Sequence, residues 1–347
     1  MNFTFIGAVI IDFYVHRVGN KIADEQYFIA KRGIQLDESL KTLLSHYFLS
    51  PFKSDELYSF SHSIDISLNE VYSCVNKIFE NPEELYEQSI NLTKHLYDQS
   101  VHPKIKGGEF YIVYFKDCIL DGETLDAIGL FKSENKDTFI EIEQVKDGFD
   151  MESRQGININ KLDKGCLIFN TEKENGYVLS IIDNTNKGSE AQYWKDDFLS
   201  VQPKKNEYHQ TNQFLGITKQ FVTKQLDEEF ELSKADKIDF LNRSVDYFKK
   251  HETFDKNEFE EEVFGESNVI ESFRKFDQAY RQENEVELSD NFVISEQAVK
   301  KQARVFKSVL KLDKNFHIYI HGNRELIEQG TDENGRKYYK IYYENEA

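Results

Sequence analysis

The sequence contains few cysteines and prolines. Among its 347 residues there are three cysteines and four prolines. The cysteines, Cys74, Cys118 and Cys166, are widely spaced and form no CxxC pair, which argues against disulfides or a zinc site and favours reduced thiols. The small number of prolines argues against proline-rich linkers and tails.

Long apolar runs are also absent. No run of about 18 uncharged apolar residues is present, so the sequence predicts no membrane-spanning helix. Residues 3–15 are apolar, but Asp12 interrupts them, and neither a basic region nor a cleavage motif flanks them. We therefore expect no secretory signal.

Most short catalytic signatures are missing from the sequence. It has no GxGxxG, GxxxxGK[ST], HExxH or GxSxG pattern. These absences argue against the common dinucleotide- and nucleotide-binding enzymes, zinc proteases of the HExxH type and serine hydrolases. The sequence nominates no cofactor, no metal ligand set and no catalytic residue.

The charge is strongly acidic and unevenly distributed. The formal net charge is −19, which by itself disfavours nucleic acid as a partner, since that binding depends on neutralising phosphates. Residues 227–290 contain 20 acidic and 9 basic residues, a net of −11. Residues 299–325 contain 7 basic and 2 acidic residues, a net of +5. Segregated charge of this kind is more informative than the total.

Residues 1–203 are predicted to form an α+β domain. Strands are expected at 3–18, 166–170 and 177–183, and helices at 36–48, 67–79 (with a capping box from Ser67 to Glu70) and 81–98. A three-stranded meander at 109–120, 125–132 and 138–143 provides the core sheet, with Asp121-Gly122 as its first turn. Residues 150–163 are expected to be irregular, and a helix is expected to begin near Ser189.

Residues 204–347 are predicted to begin with a helical region and to end in β-structure. Apolar residues at helical spacing indicate helices over about 207–285, one of them capped by Ser233. In the β-rich segment of about 286–347, a short helix at 295–303 precedes four strands at 305–312, 316–321, 326–329 and 337–343. The sequence predicts that these strands form one antiparallel meander, and the fold class of the whole chain is α+β.

Two patterns could mark metal chemistry. Asp121 or Asp126, followed by Glu134 and Lys136, resembles the D…(D/E)xK arrangement of metal-dependent nucleases, in which two carboxylates hold a cation. The spacing is loose, so a solvated charged turn is the favoured interpretation and a nuclease in phage defence stays an alternative. His317 and His321 share a strand face, but no further ligand lies near them in the sequence, which favours a pair of strand histidines.

A basic cluster is the stronger functional lead. It comprises Lys300, Lys301, Arg304, Lys307, Lys311 and Lys314, with Asp313 as the one acid in that span. On a helix end followed by a strand, these residues would form a positive surface able to follow DNA phosphates. Secondary DNA-binding candidates are Lys132, Lys136, Lys187 and Lys195. Alternatively, the cluster neutralises the acidic helical region within the same chain.

Three segments resemble the bacterial nucleoid-associated proteins of the NdpA type. They are AIGLFKSENKDTFIEI (127–142), DKGCLIFNTEKENGYVLSIIDNTNKGSEAQYWKDDFLSV (163–201) and ARVFKSVLKLDKNFHIYIHG (303–322). Their order and the chain length also match, so the resemblance covers nearly the whole chain. It implies a cytoplasmic protein of the nucleoid that binds double-stranded DNA, with a topoisomerase or another nucleoid protein as a partner. It provides no catalytic residue.

Three functions therefore remain. The first is a non-enzymatic nucleoid protein that binds double-stranded DNA without sequence preference through the cluster at 300–314. The second is an acidic interaction protein whose helical region engages a basic or DNA-processing partner. The third is the metal-dependent nuclease. The oligomeric state stays open, with a homodimer among the alternatives.

Overall fold

The computed structural model describes residues 3–53, 56–185, 193–230, 232–284, 286–304, 306, 309–312, 315–320 and 324–345. The chain divides into two compact units, Met1–Lys204 and Lys205–Ala347. Within the described ranges, no helix has the length and apolar character needed to cross a membrane.

The first unit is built around an eight-stranded antiparallel sheet. Its helices are α1 (Glu38–Leu49), α2 (Glu70–Glu80) and α3 (Leu85–Gln99). Its strands are β1 (Phe3–Thr4), β2 (Val9–Val18), β3 (Leu57–Phe60), β4 (Gly108–Leu120), β5 (Glu123–Ser133), β6 (Asp137–Val145), β7 (Gly148–Gly156), β8 (Lys164–Phe169), β9 (Val178–Asp183) and β10 (Val201–Pro203). The order in the sheet is β1-β4-β5-β8-β9-β3-β10, and β2 also pairs with β4.

Both faces of the central strands are buried. Strand β4 is rich in β-branched and aromatic residues, which suit a pleated surface. Ile112 and Leu130 face one core, which α2 and α3 cover. Val113 and Phe131 face the opposite core, which includes the end of α1. This alternation explains why β4 and β5 read as apolar strands in the sequence.

The predicted three-stranded meander is wrong at its third strand. Strand β6 does not join the sheet but pairs with β7 in a separate two-stranded hairpin. Strand β5 already pairs with β4 and β8, so neither of its edges is open to β6. The predicted irregularity at 150–163 is also wrong for its first part, because residues 150–156 belong to β7.

Smaller differences concern where strands are interrupted and where helices begin. The predicted first strand is divided into β1 and β2 by a turn at which Gly7 has φ +92°. Asn69, rather than Ser67, caps α2, because its side chain accepts from the backbone N–H of Tyr72. The predicted helix start near Ser189 lies outside the described residues, and a five-residue π-helical turn follows at Lys195–Leu199.

The second unit begins with helices around an aromatic core. Its helices are α4 (Glu207–Gln220), α5 (Leu226–Glu229), α6 (Lys234–Lys250), α7 (Lys256–Val263), α8 (Ser267–Glu283) and α9 (Glu296–Ala303). Phe214 lies at the centre, with the rings of Phe254 and Phe259 at 4.3 and 5.1 Å. Ser233 caps α6 in a capping box with Asp236.

The strands of the second unit are short and paired two by two. They are β11 (Thr253–Asp255), β12 (Asn291–Val293), β13 (Val309–Leu312), β14 (Phe316–Tyr319), β15 (Ile327–Thr331) and β16 (Lys337–Ile341). In the part of the chain described, the last four form the hairpins β13–β14 and β15–β16 rather than one four-stranded sheet. The α+β fold class is confirmed.

Candidate nucleic-acid interface

The C-terminal end of α9 carries the first part of the basic cluster. Ser295 caps the start of this helix, Lys300 and Lys301 lie in its last turn, and Arg304 is its C-cap. All three cationic residues are exposed. Cations at this end of a helix are favourable because the backbone carbonyls there carry partial negative charge. The end of α9 therefore stabilises these cations while they stay exposed to solvent.

Lys300 and Lys301 make contacts within the protein. Lys300 pairs with Glu296 at 3.1 Å, and both side chains are largely exposed. The ammonium of Lys301 lies 5.5 Å from the centre of the Tyr208 ring. Exposed ion pairs typically contribute about 0–1 kcal/mol, so a phosphate could replace Glu296 beside Lys300 at little cost.

The β13–β14 hairpin places Lys311 on its solvent-facing side. Lys311 and His317 are directly opposite each other in the hairpin. Because strand residues alternate between faces, Leu310 points the other way, into a small apolar core with Ile238 and Ile327. Lys311 and His317 are exposed. Among the described residues, His317 belongs to no group of side chains placed to share a metal ion.

A cleft of about 450 Å3 joins these elements. Lys311 and His317 line it from the hairpin, Lys249 from α6, and Ala303 from the end of α9. Lys249 lies 3.5 Å from Asp246, and both side chains are more than half exposed. The cleft thus brings the end of α9 and Lys311 to one surface, together with Lys249, which the sequence did not nominate because it lies within the acidic region.

The remaining sequence candidates are dispersed. Lys307, Lys314 and Lys187 lie outside the described residues, as does His321. Lys136 is half-exposed and pairs with Glu109 at 2.8 Å. Lys195 is partly buried and donates to the Tyr58 hydroxyl at 2.6 Å.

Lys132 is fully buried in the first unit. Its Nζ donates to the Lys106 carbonyl at 2.7 Å, to Glu134 at 3.0 Å and to the Tyr193 hydroxyl at 3.1 Å. All three ammonium donors therefore have oxygen partners. Burial lowers the pKa of Lys132, while the nearby Glu134 opposes that shift. The proposed DNA-contacting surface therefore does not include Lys132.

A second buried lysine lies beside Lys132. Lys164 on β8 is the direct cross-strand partner of Lys132 on β5. Its Nζ donates to both carboxylate oxygens of Asp183 and to the Thr185 hydroxyl, each at 2.8 Å. Both ammoniums lie near the Tyr193 ring, with Lys132 Nζ 5.5 Å and Lys164 Nζ 5.1 Å from its centre. A signal was present in the sequence, since strand alternation puts Lys132 on the same face of β5 as the buried residues Ile128 and Leu130.

The nuclease-like pattern does not assemble. Asp126 accepts from the Tyr114 hydroxyl at 2.6 Å, in the first part of β5. Glu134 follows the other end of that strand, eight residues later, which at ~3.3 Å per residue is about 26 Å away. Asp121 lies farther still, in the turn before β5. Carboxylates so far apart cannot share one metal ion.

One described group could offer metal ligands. Atoms of His251, Glu258 and Glu262 lie within 4.8 Å of one another. The two ring nitrogens of His251 face different carboxylates, with Nδ1 3.7 Å from Glu258 and Nε2 3.4 Å from Glu262. Each ring nitrogen of His251 thus has a carboxylate of its own nearby, so the three side chains make contacts that do not require an ion.

Comparison with known proteins identifies the family. The family model of nucleoid-associated protein YejK matches residues 15–339. A comparison with curated proteins found no match. The resemblance to nucleoid-associated proteins that rests on three sequence segments is confirmed. Because the family model covers most of its 347 residues, the chain belongs to the bacterial family of nucleoid-associated protein YejK.

Proposed function

We propose that this nucleoid-associated protein binds double-stranded DNA in the bacterial cytoplasm, through phosphate contacts that carry no sequence preference. The observation that supports this most is the surface formed by Lys300, Arg304 and Lys311, which are exposed cations in a segment of net charge +5. Lys249 adds a further exposed cation, which lines the cleft together with Lys311. Phosphate contacts position a protein on DNA but do not read bases.

Sequence preference provides the direct test. Duplexes of equal length but unrelated sequence should bind with affinities within about twofold of one another, since the contacts neutralise phosphates. The measurement is a competition titration with a labelled duplex. Competitors that differ tenfold or more in affinity would contradict the proposal of sequence-independent binding.

A partner role has independent support from the acidic helices. Glu261, Glu262 and Glu266 are exposed at the end of α7 and in the turn that follows it. We propose that this surface engages a basic segment of a DNA-processing partner, such as a topoisomerase or another nucleoid protein. Charge complementarity would accelerate that association. Changing the three residues to Gln should reduce capture of a purified candidate partner while DNA affinity is retained, and unchanged capture would contradict this role.

A further inference from the structure

A polar pocket of about 470 Å3 lies in the first unit. It is located where β5 ends and β8 begins, next to the end of β9. Its walls include Lys104, Lys106 and Lys161, and the polar side chains of Asn135 and Thr185. This pocket differs from the cleft of the second unit in every lining residue. Its residues 134–135, 163 and 184–185 come from two of the segments on which the family resemblance rests.

The carboxylates of the pocket, Asp163 and Glu134, accept hydrogen bonds from groups within the protein. Asp163 Oδ2 accepts from the backbone N–H groups of Glu134 and Asn135 at 2.6 and 2.8 Å. Glu134 Oε1 accepts from Lys132 and from the Tyr193 hydroxyl at 3.0 and 2.9 Å. These hydrogen bonds hold the loop that follows β5 against the sheet.

The lysines at the opening are held more loosely. Lys106 donates to the neutral amide oxygen of Asn135 at 2.7 Å. Lys161 lies 3.3 Å from Asp137, and both side chains are at least half exposed. Exposed pairs of this type contribute little to stability. An anion that enters the pocket can therefore recruit these ammoniums without breaking the buried network.

The pocket keeps a net positive charge when the buried lysines and their partners are counted with it. Removing an ion from water costs several kcal/mol, and like charges directly opposite on neighbouring strands repel, yet Lys132 and Lys164 occupy such positions. Counting them with Lys104, Lys106 and Lys161, five cations face four acids (Glu134, Asp137, Asp163 and Asp183), a net of +1. The pocket is thus locally positive in a chain of net charge −19.

We propose that this pocket binds a phosphate group, with Lys106 and Lys161 as its direct contacts. Lysine is a common phosphate ligand because its ammonium presents three donors and a full charge. The buried network fixes Asn135, whose amide nitrogen donates to Asp163 at 2.9 Å, and thereby positions Lys106. The phosphate group could belong to a free nucleotide or to the DNA backbone, and these two sources share the same chemistry.

The test compares Lys106→Gln/Lys161→Gln with a control, Lys77→Gln/Lys116→Gln, which removes two exposed lysines of the same unit that do not line the pocket. Calorimetric titration of the full chain with pyrophosphate and with a nucleoside triphosphate should show binding that the pocket variant weakens about tenfold or more, with the control unchanged. An unchanged melting temperature in both variants shows that the fold is intact.

A duplex DNA titration with the same variants distinguishes the sources. Loss of DNA affinity in the pocket variant assigns the phosphate to DNA, and retained DNA affinity with weakened triphosphate binding assigns it to a nucleotide. If pyrophosphate, triphosphate and DNA all bind the pocket variant as they bind the control, the proposal is overturned. Because pyrophosphate is titrated without DNA, this outcome is independent of whether the cleft of the second unit binds DNA.

Discussion

The cations of the second unit can be tested through the salt dependence of DNA binding. The variant Lys300→Gln/Arg304→Gln/Lys311→Gln removes three exposed charges and leaves polar side chains at these positions. Lys301 is retained because its ammonium packs over the Tyr208 ring. The Lys300–Glu296 pair is exposed, so its loss should change stability by less than about 1 kcal/mol.

The expected magnitude follows from counterion release. Each phosphate contact contributes about −0.9 to the slope of log K against log salt. If each of the three cations contacts one phosphate, the variant should bind with a slope shallower by about 2.7. Between about 50 and 200 mM salt, these three contacts account for a roughly 40-fold loss of affinity, which the variant should no longer show.

Fluorescence anisotropy with a labelled duplex at several salt concentrations measures this slope. A matched control, Lys224→Gln/Lys275→Gln/Lys337→Gln, removes the same number of exposed cations elsewhere in the second unit. The control should change the slope by less than the variant does, although the net charge of the two chains is equal. Equal slopes for variant and control would show that net charge, and not the cluster, governs binding, and the assignment would be refuted.

Three further expectations concern the first unit. Burial lowers the pKa of His16 to about 4. The contribution of His16 to the free energy of unfolding is therefore fully present above the unfolded pKa of 6.5 and is lost as pH falls towards 4. Urea unfolding should show about 3 kcal/mol of acid destabilisation that His16→Gln lacks. In the same assay at neutral pH, Lys132→Met should cost about 3–5 kcal/mol because it leaves Glu134 buried and unpaired, and Lys132→Met/Glu134→Met should recover much of that loss. Gly176→Ala should lower the melting temperature, because φ is +88° and a Cβ would lie 2.4 Å from the Phe60 carbonyl oxygen; an unchanged melting temperature would contradict this.

Local patterns made much of the fold predictable. Strands β4 and β5 were evident because both of their faces are buried, so apolar and β-branched residues run nearly without interruption. Some helix starts were readable from capping residues, although the cap of α2 was placed at Ser67 instead of Asn69. Asn81 before Pro82 was read correctly as a cap, since its side chain accepts from the backbone N–H of Glu83 in the 3-10 turn at Pro82–Glu84 that leads into α3.

Partner choice between strands was not predictable from those patterns. Strand β6 alternates apolar and acidic residues as a half-buried strand does, yet both of its faces are exposed. Only the pairing of β5 with β8 shows that the sheet has no edge for β6, and that pairing spans more than thirty residues of sequence. Non-local pairing of this kind leaves no mark on the strands concerned.

The candidate sites were harder to read, because lysines can be either surface or buried charges. Lys132 and Lys311 were both nominated as DNA contacts, but one is buried among three oxygens and the other is exposed beside a cleft. The difference depends on side-chain partners brought in by distant segments, such as Tyr193. Lys249 was missed because net charge over a long window conceals a single cation that faces the cleft.

The acidity of the chain need not prevent DNA binding, because distance decides which charges DNA experiences. Several acids of the second unit are neutralised internally, since Asp277 pairs with Arg281 and Lys256, and Glu260 pairs with Arg274. At about 0.15 M salt the Debye length is ~8 Å, so DNA on the cleft experiences the nearby cations and little of the rest. At about 0.01 M salt it is ~30 Å, and repulsion by the remaining acids reaches the DNA. The plot of log K against log salt should therefore flatten at the lowest salt, whereas a uniformly basic DNA-binding protein would give a straight line. A straight line for this protein would mean that the DNA lies farther from the acidic helices than the cleft of the second unit allows.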